Sequence, residues 1–135
     1  MYISPTEITT HLGAEQIEAI SDGDSTMLQA AIDAAIVEAK GYLSAFDIEA
    51  ELLKTGTARN PLLIIFIKDI AVWHFINICN VNTSMELRQD RYERAVAWLR
   101  AVQKGEVKPD LAELPAEEQA AIITYNSNTK RNNHY

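Results

Sequence analysis

A run of twenty residues constrains this chain more than any other feature. Leu62 to Val81 reads LLIIFIKDIAVWHFINICNV, apolar on nearly every side of a helix. Such a helix belongs either in lipid or at the centre of a bundle. Lys68 and Asp69 fall near its middle, with His74 and Asn77 beyond. Each charge at a bilayer centre costs about 2.5–3.5 kcal/mol, so a buried core helix is expected and no membrane contact. The β-branched pair Ile64-Ile65 would also suit a buried strand, but the run is too long for one. Asn60-Pro61 supplies a cap and a first helical residue. The central helix is therefore expected from Pro61 to about Asn80, with Ile64, Ile67, Ala71, Phe75 and Ile78 pointing into the core.

The remaining segments read as helices able to surround it. Ser4-Pro5-Thr6-Glu7 opens one, with Pro5 at the first position and Glu7 completing a capping box, and Gly13 is placed to end it. A short helix is expected over Ala14 to Ile20, then a turn over Ser21 to Ser25. Leu28, Ile32, Ala35, Ile36, Ala39, Tyr42, Leu43 and Phe46 recur at three- and four-residue steps, one apolar helix face. Gln29, Asp33, Glu38 and Lys40 lie between them and are expected to face water. Gly41 weakens that helix by about 1 kcal/mol relative to alanine, and close approach of a neighbouring backbone is its expected use. Ala50 to Lys54 reads as a helical turn and Thr55 to Asn60 as a loop.

Thr83 or Ser84 caps the next helix, whose inner stripe is Leu87, Tyr92, Ala95, Val96, Leu99 and Val102. Lys104 and Gly105 suit its end. A sixth, thin helix is expected from Pro115 to Tyr125, and the asparagine-rich stretch from Asn126 to Tyr135 reads as a flexible tail. The fold class expected is all-α: a compact bundle of about five helices over residues 1–110, with a C-terminal extension over 111–135.

Composition removes several classes of function. The 135 residues fit one domain, and 47% hydrophobic content suits a globular core. A net charge of −7 disfavours broad grip on nucleic acid or anionic lipid. The single cysteine, Cys79, makes no internal disulfide and no CxxC knuckle, and the start of the chain shows no signal-peptide pattern; synthesis in a reducing cytoplasm is expected.

The sequence carries no recognisable catalytic or ligand-binding motif. Gly13, Gly23, Gly41, Gly56 and Gly105 are isolated, so no phosphate-cradling glycine motif can be written. His11, His74 and His134 form no HExxH or HxxxH pair, and no metal or other cofactor is expected. His74 reads as a core or interface histidine with local partners, Cys79 as a small buried hydrophobe. Asp22-Gly23-Asp24 reads as a turn and cap, because the spacing fails for a calcium loop. Glu117-Glu118 reads as acid at a helix start. Arg88, Arg91 and Arg94 step by three along one helix. Asp90 and Glu93 interrupt them, so a solvated face with an Asp90–Arg94 pair competes with a contact stripe for a partner or DNA. Trp98 fits either the core or a subunit rim.

The order of several short motifs resembles a known family. Tyr2-Ile3-Ser4-Pro5-Thr6-Glu7-Ile8, Ile32-Asp33-Ala34-Ala35 leading to Gly41-Tyr42-Leu43, Asp69-Ile70-Ala71, and Arg91 to Leu99 running into Lys104-Gly105-Glu106-Val107 resemble the Mu-like prophage group of small head–tail connector, or head-completion, proteins. The likeness spans roughly residues 2 to 110. Two departures stand out: no basic, proline-containing stretch follows Leu43, and the tail after Asp110 is longer. The resemblance implies a helical, non-enzymatic subunit that forms a homo-oligomeric ring at the portal and joins capsid to tail. Its implied partners are the portal protein and a tail-side completion protein, with DNA passing through unread. It also implies assembly in the bacterial host cytoplasm and a final place in the virion neck. Arg88, Arg91, Arg94, Trp98, Ile122, Ile123 and Tyr125 are the candidate subunit or partner contacts. A small helical adaptor or regulator of one phage or host protein remains the competing reading. An enzyme with an unrecognised site, which would need a pocket with convergent polar groups, stands behind both.

Overall fold

A computed structural model describes residues 1–79 and 86–115. Pro5 starts a 3₁₀ turn over Pro5–Thr10, and Glu7 accepts the Ser4 N–H at 2.7 Å. Four α-helices and one short one follow: α1 (Ala14–Ser21), α2 (Ser25–Tyr42), α3 (Ile48–Leu52), α4 (Pro61–Ile78) and α5 (Glu86–Gln103), with a second 3₁₀ turn at Gly56–Ala58. Among the described residues the fold is all-helical, as the periodicity implies; the one extended pairing is an isolated antiparallel bridge between Phe46 and Glu113.

Local chemistry sets the helix ends. Asp22 takes a left-handed conformation to close α1, and the Asp24 carboxylate accepts from Thr26 N–H at the start of α2. Asn60 Oδ1 accepts from Leu63 N–H at 2.9 Å, and Pro61 occupies the first turn of α4. α5 stops at Gly105, whose φ is +80°; Glu106 N–H reaches Ala101 O and Gly105 N–H reaches Val102 O, a Schellman closure that glycine permits.

Helix α4 is the centre. It packs against α2 and then α5. Antiparallel order on both sides follows from cross-contacts: His74 meets Glu38 and Cys79 meets Met27 on α2, while Phe66 meets Trp98 and Trp73 meets Tyr92 on α5. The fully buried set joins Ile3, Ile8, Ile32, Leu43, Leu63, Ile67, Ile70, Phe75, Ile76 and Leu99 across these elements. Length and composition would let α4 cross a membrane, and 44% of that span is buried inside the protein. Its charges are accommodated rather than solvated. Lys68 is buried and donates to Thr10 Oγ1 at 3.2 Å; Asp69 Oδ1 lies 3.4 Å from His11 Nε2.

Several expectations are corrected. The opening element is 3₁₀ rather than α, and Gly13 leads into α1 instead of ending a helix. Phe46 lies beyond the end of α2, in the bridge to Glu113. Ile67, Ala71 and Phe75 are buried and Ile64 is partly so, but Ile78 is 48% exposed; Leu87 is 53% exposed. Both sit in the end turns of their helices. Glu38 does not face water but bonds to His74 and Tyr92. Gly41 admits no close neighbour: a Cβ there would meet nothing within 4 Å.

Beyond Gly105 the chain returns to the body. Asn60 Nδ2 donates to Asp110 O, Asp47 N–H to Ala112 O, and Leu114 N–H to Ala45 O. The stretch 111–114 is therefore held against the end of α2. The expected caps Thr83 and Ser84, the last expected residue of the central helix Asn80, the sixth helix and tail, and the candidate contacts Ile122, Ile123 and Tyr125 lie outside the described residues.

Candidate interaction surface

Because α4 is apolar all round, its outward side stays apolar once α2 and α5 have covered the rest. At 3.6 residues per turn, Leu62, Ile65, Phe66 and Asp69 share one side of the helix. Leu62 is 44% and Ile65 46% exposed. Phe66 is half-buried, its ring 5.0 Å from that of Trp98 on α5. Leu62 and Trp98 line one shallow recess with Val107 and Pro109; Ile65, Phe66, Asp69, Arg91 and Arg94 line a second with His11. The Phe66–Trp98 ring contact links the two into one strip, apolar at Leu62 and charged at Asp69, Arg91 and Arg94. Contiguous apolar surface of this kind, rimmed by polar groups, marks interaction sites.

The three arginines do not act alike. Arg88 turns inward and its Nη1 donates to His11 O at 3.0 Å, tying α5 to the 3₁₀ turn. Arg94 is exposed and pairs with Asp90 at 2.8 Å, the i,i+4 partner expected from the sequence. That pair contributes at most about 0.5 kcal/mol in water. Arg91 is half-buried and lines the strip beside Asp69. So the structure brings Arg91, Arg94 and Trp98 to one surface and assigns Arg88 to the fold.

Burial governs the charges beneath the strip. It pushes the His11 imidazole below its ordinary pKa, and Lys68, Arg91 and Arg88 push it further. Burial likewise raises Asp69, against the lowering pull of Arg91, Arg88 and Arg94. Both directions oppose a fully ionised pair, so the 3.4 Å contact holds a neutral imidazole at neutral pH.

Two other polar clusters belong to the scaffold. Glu51, almost fully buried, accepts from Tyr2 Oη at 2.6 Å and Asn60 N–H at 2.8 Å, and pairs with Lys54 at 3.1 Å. Burial raises its pKa, yet these donors win and the net shift is downward. Next to it, Arg59 donates to Tyr2 O and to Glu7 Oε1 at 2.7 Å. That guanidinium brings Glu7 down to about 2. The second cluster joins three helices: Glu38 Oε1 meets His74 Nε2 and its Oε2 accepts from Tyr92 Oη, each at 2.8 Å, with Tyr92 stacked on Trp73. Burial first, then the Glu38 bond, pushes Tyr92 up to about 12. His74 thus has the local partner its position implied. Cys79 is half-buried, 3.4 Å from the Met27 sulfur. Among the described residues no three His, Cys, Asp or Glu side chains gather to hold a metal.

Of the residues singled out from the sequence, Trp98, Arg91 and Arg94 lie at this surface and Arg88 does not; Leu62, Ile65 and Phe66 have no signal of their own within an all-apolar helix. The usable signal is the missing polar face: an 18-residue helix, even a central one, is not covered on every side by two neighbours.

No curated protein and no solved structure matches this chain. The profile of the family Bacteriophage Mu, Gp36 matches residues 2–124, nearly the whole sequence. The chain belongs to the Bacteriophage Mu, Gp36 family.

Proposed function

We propose that this chain is a structural head–tail connector subunit of a Mu-like phage or prophage. Subunits assemble as a ring on the portal and present a second face to a tail-side completion protein. DNA passes through the ring without being read. Assembly takes place in the host cytoplasm and the subunit ends in the virion neck, doing no chemistry of its own. The observation that carries this reading is the strip of Leu62, Ile65, Phe66 and Trp98 with Arg91 and Arg94, where exposed apolar side chains lie together beside charged ones. It supplies apolar area for a subunit contact and charge to orient it. Family membership supports the phage context.

Mixing the purified chain with its cognate portal tests the proposal. Sedimentation should move the chain into the portal-sized complex, at a fixed subunit ratio. A well-folded chain that binds neither the portal nor any other head or neck protein overturns it. Tight binding to one unrelated host protein would replace it with the adaptor reading.

A further inference from the structure

The strip and the end of the chain are complementary. The strip offers an apolar stretch at Leu62, Ile65, Phe66 and Trp98, then Arg91 and Arg94, with the largely buried Asp69 in the same recess and Asp90 paired to the exposed Arg94. Residues 116–125, AEEQAAIITY, carry Glu117 and Glu118 ahead of Ile122, Ile123 and Tyr125. Acid followed by an apolar cluster is the pattern that a basic-and-apolar strip would recognise. Extended, ten residues reach about 33 Å, more than three times the roughly 10 Å of helix between Leu62 and Asp69.

The path of the chain favours a neighbour's strip over its own. Val107 to Asp110 run past Leu62 and Trp98, at one end of the strip. The chain then leaves that edge, and Ala112 and Leu114 are hydrogen-bonded to Asp47 and Ala45 beyond the end of α2. The described chain therefore ends at Pro115 beside the end of α2 rather than on the strip.

We infer that the strip of one subunit receives residues 116–125 of a second copy, with Glu117 and Glu118 beside Arg91 and Arg94 and the isoleucines over Leu62 and Ile65. The inference rests on the ring reading and names its contact: a head-to-tail exchange that repeats around a ring. The tail supplies one half of the contact and the strip the other, so each subunit both gives and receives.

Complementation between two full-domain variants tests it. One carries Leu62→Glu with Ile65→Glu, both exposed positions, and keeps its tail. The other ends at Pro115 and keeps its strip. Circular dichroism and thermal melting first establish that both are folded. In sedimentation velocity at high concentration, the unaltered chain should self-associate and each variant alone should stay monomeric. An equimolar mixture of the two should form dimers and nothing larger, since only one contact can be made. A peptide of residues 116–135 should bind the truncated chain, and Glu117→Lys with Glu118→Lys in that peptide should weaken binding about tenfold or more. A mixture that stays monomeric, with no peptide binding, overturns the inference. So does a truncated chain that associates more strongly than the full chain, which would mean that the tail covers its own strip. Portal binding is measured separately, so a failed exchange does not count against the connector reading, nor a failed portal complex against the exchange.

Discussion

Helices α2 and α4 have 18 residues each and lie antiparallel against one another, yet their outward sides differ. α2 turns Ala30, Asp33, Ala34, Val37 and Gly41 outward, small or polar except for Val37. α4 turns Pro61, Leu62 and Ile65 outward and half-exposes Phe66. Core filling and helix propensity account for α2 apart from Val37, which is 69% exposed. They account for only the inward side of α4, where Leu63, Ile67, Ile70 and Phe75 are sealed. The outward side of α4 carries apolar area that folding does not use, and it is this surface that the proposal assigns to another chain.

The sharpest way to break the comparison is to put one charge on each side of α4. Ile67 is 1% exposed and Ile65 is 46% exposed, two residues apart. Ile67→Asp buries an unpaired carboxylate and removes a packed side chain, an expected loss of about 4 kcal/mol or more. That is a large share of a domain's stability, typically about 5–15 kcal/mol. Ile65→Asp should change stability by no more than about 0.5 kcal/mol. Chemical denaturation measures both. A soluble Ile67→Asp with an unchanged midpoint, or an unfolded Ile65→Asp, would show that the two sides are not distinct.

A second test reaches the start of α4. Glu51 accepts from both Tyr2 Oη and Asn60 N–H, and Asn60 is the residue that caps α4. Glu51→Ala leaves two buried donors without a partner, at a cost of about 2–4 kcal/mol. No equivalent exists for α2, whose cap Asp24 is solvent-facing. Asp24→Ala should lower stability by less than Glu51→Ala does. Equal losses would contradict the view that α4 is anchored in the core and α2 at the surface.

How much of this was legible in the sequence follows from the range of each interaction. Periodicity and caps act within a turn or two. They gave the central helix, the start at Asn60-Pro61, the stop at Gly105 and the Asp90–Arg94 pair, each visible within a few residues. Contacts between distant segments leave no local trace. Glu38 reads as a surface residue of α2, yet it binds His74, 36 residues away, and Tyr92, 54 residues away. Glu51 in a five-residue helix gives no hint that it closes on Tyr2, 49 residues earlier. Of the candidate surface, Trp98, Arg91 and Arg94 were legible because they break the pattern of α5. Leu62, Ile65 and Phe66 were hidden because an all-apolar helix does not say which side remains open.

Acid titration sharpens the anchoring difference further. Arg59 holds Glu7 down to about 2, below the ordinary carboxylate value of 4.5. A depressed carboxylate stabilises the fold above its unfolded pKa, and that contribution is lost as pH falls through the folded one. Stability should therefore decline between about pH 4.5 and pH 2. Glu7 is partly exposed, so solvent screening limits the effect to about 1–2 kcal/mol. Glu7→Gln should be less stable at pH 7 and should lose much of this acid dependence. An unchanged slope between pH 4.5 and pH 2 would place the acid sensitivity elsewhere.

The smallest expected effect tests the claim that the outward side of α2 is ordinary. Gly41 lies in its last turn, exposed, with no left-handed φ, and an added Cβ would meet nothing within 4 Å. Glycine inside a helix costs about 1 kcal/mol relative to alanine. Gly41→Ala should thus stabilise the monomer by about 0.5–1 kcal/mol and raise the melting temperature by about 2–5 °C. Association at high concentration should be unchanged, because α2 contributes nothing to the strip. The variant separates two uses of the glycine that the free chain cannot distinguish. If alanine stabilises the monomer but weakens self-association or portal binding, a second chain must approach α2 closely at Gly41. The outward side of α2 would then be an interface too, and the contrast with α4 would lie in the kind of contact: close approach over small residues on one helix, apolar insertion on the other.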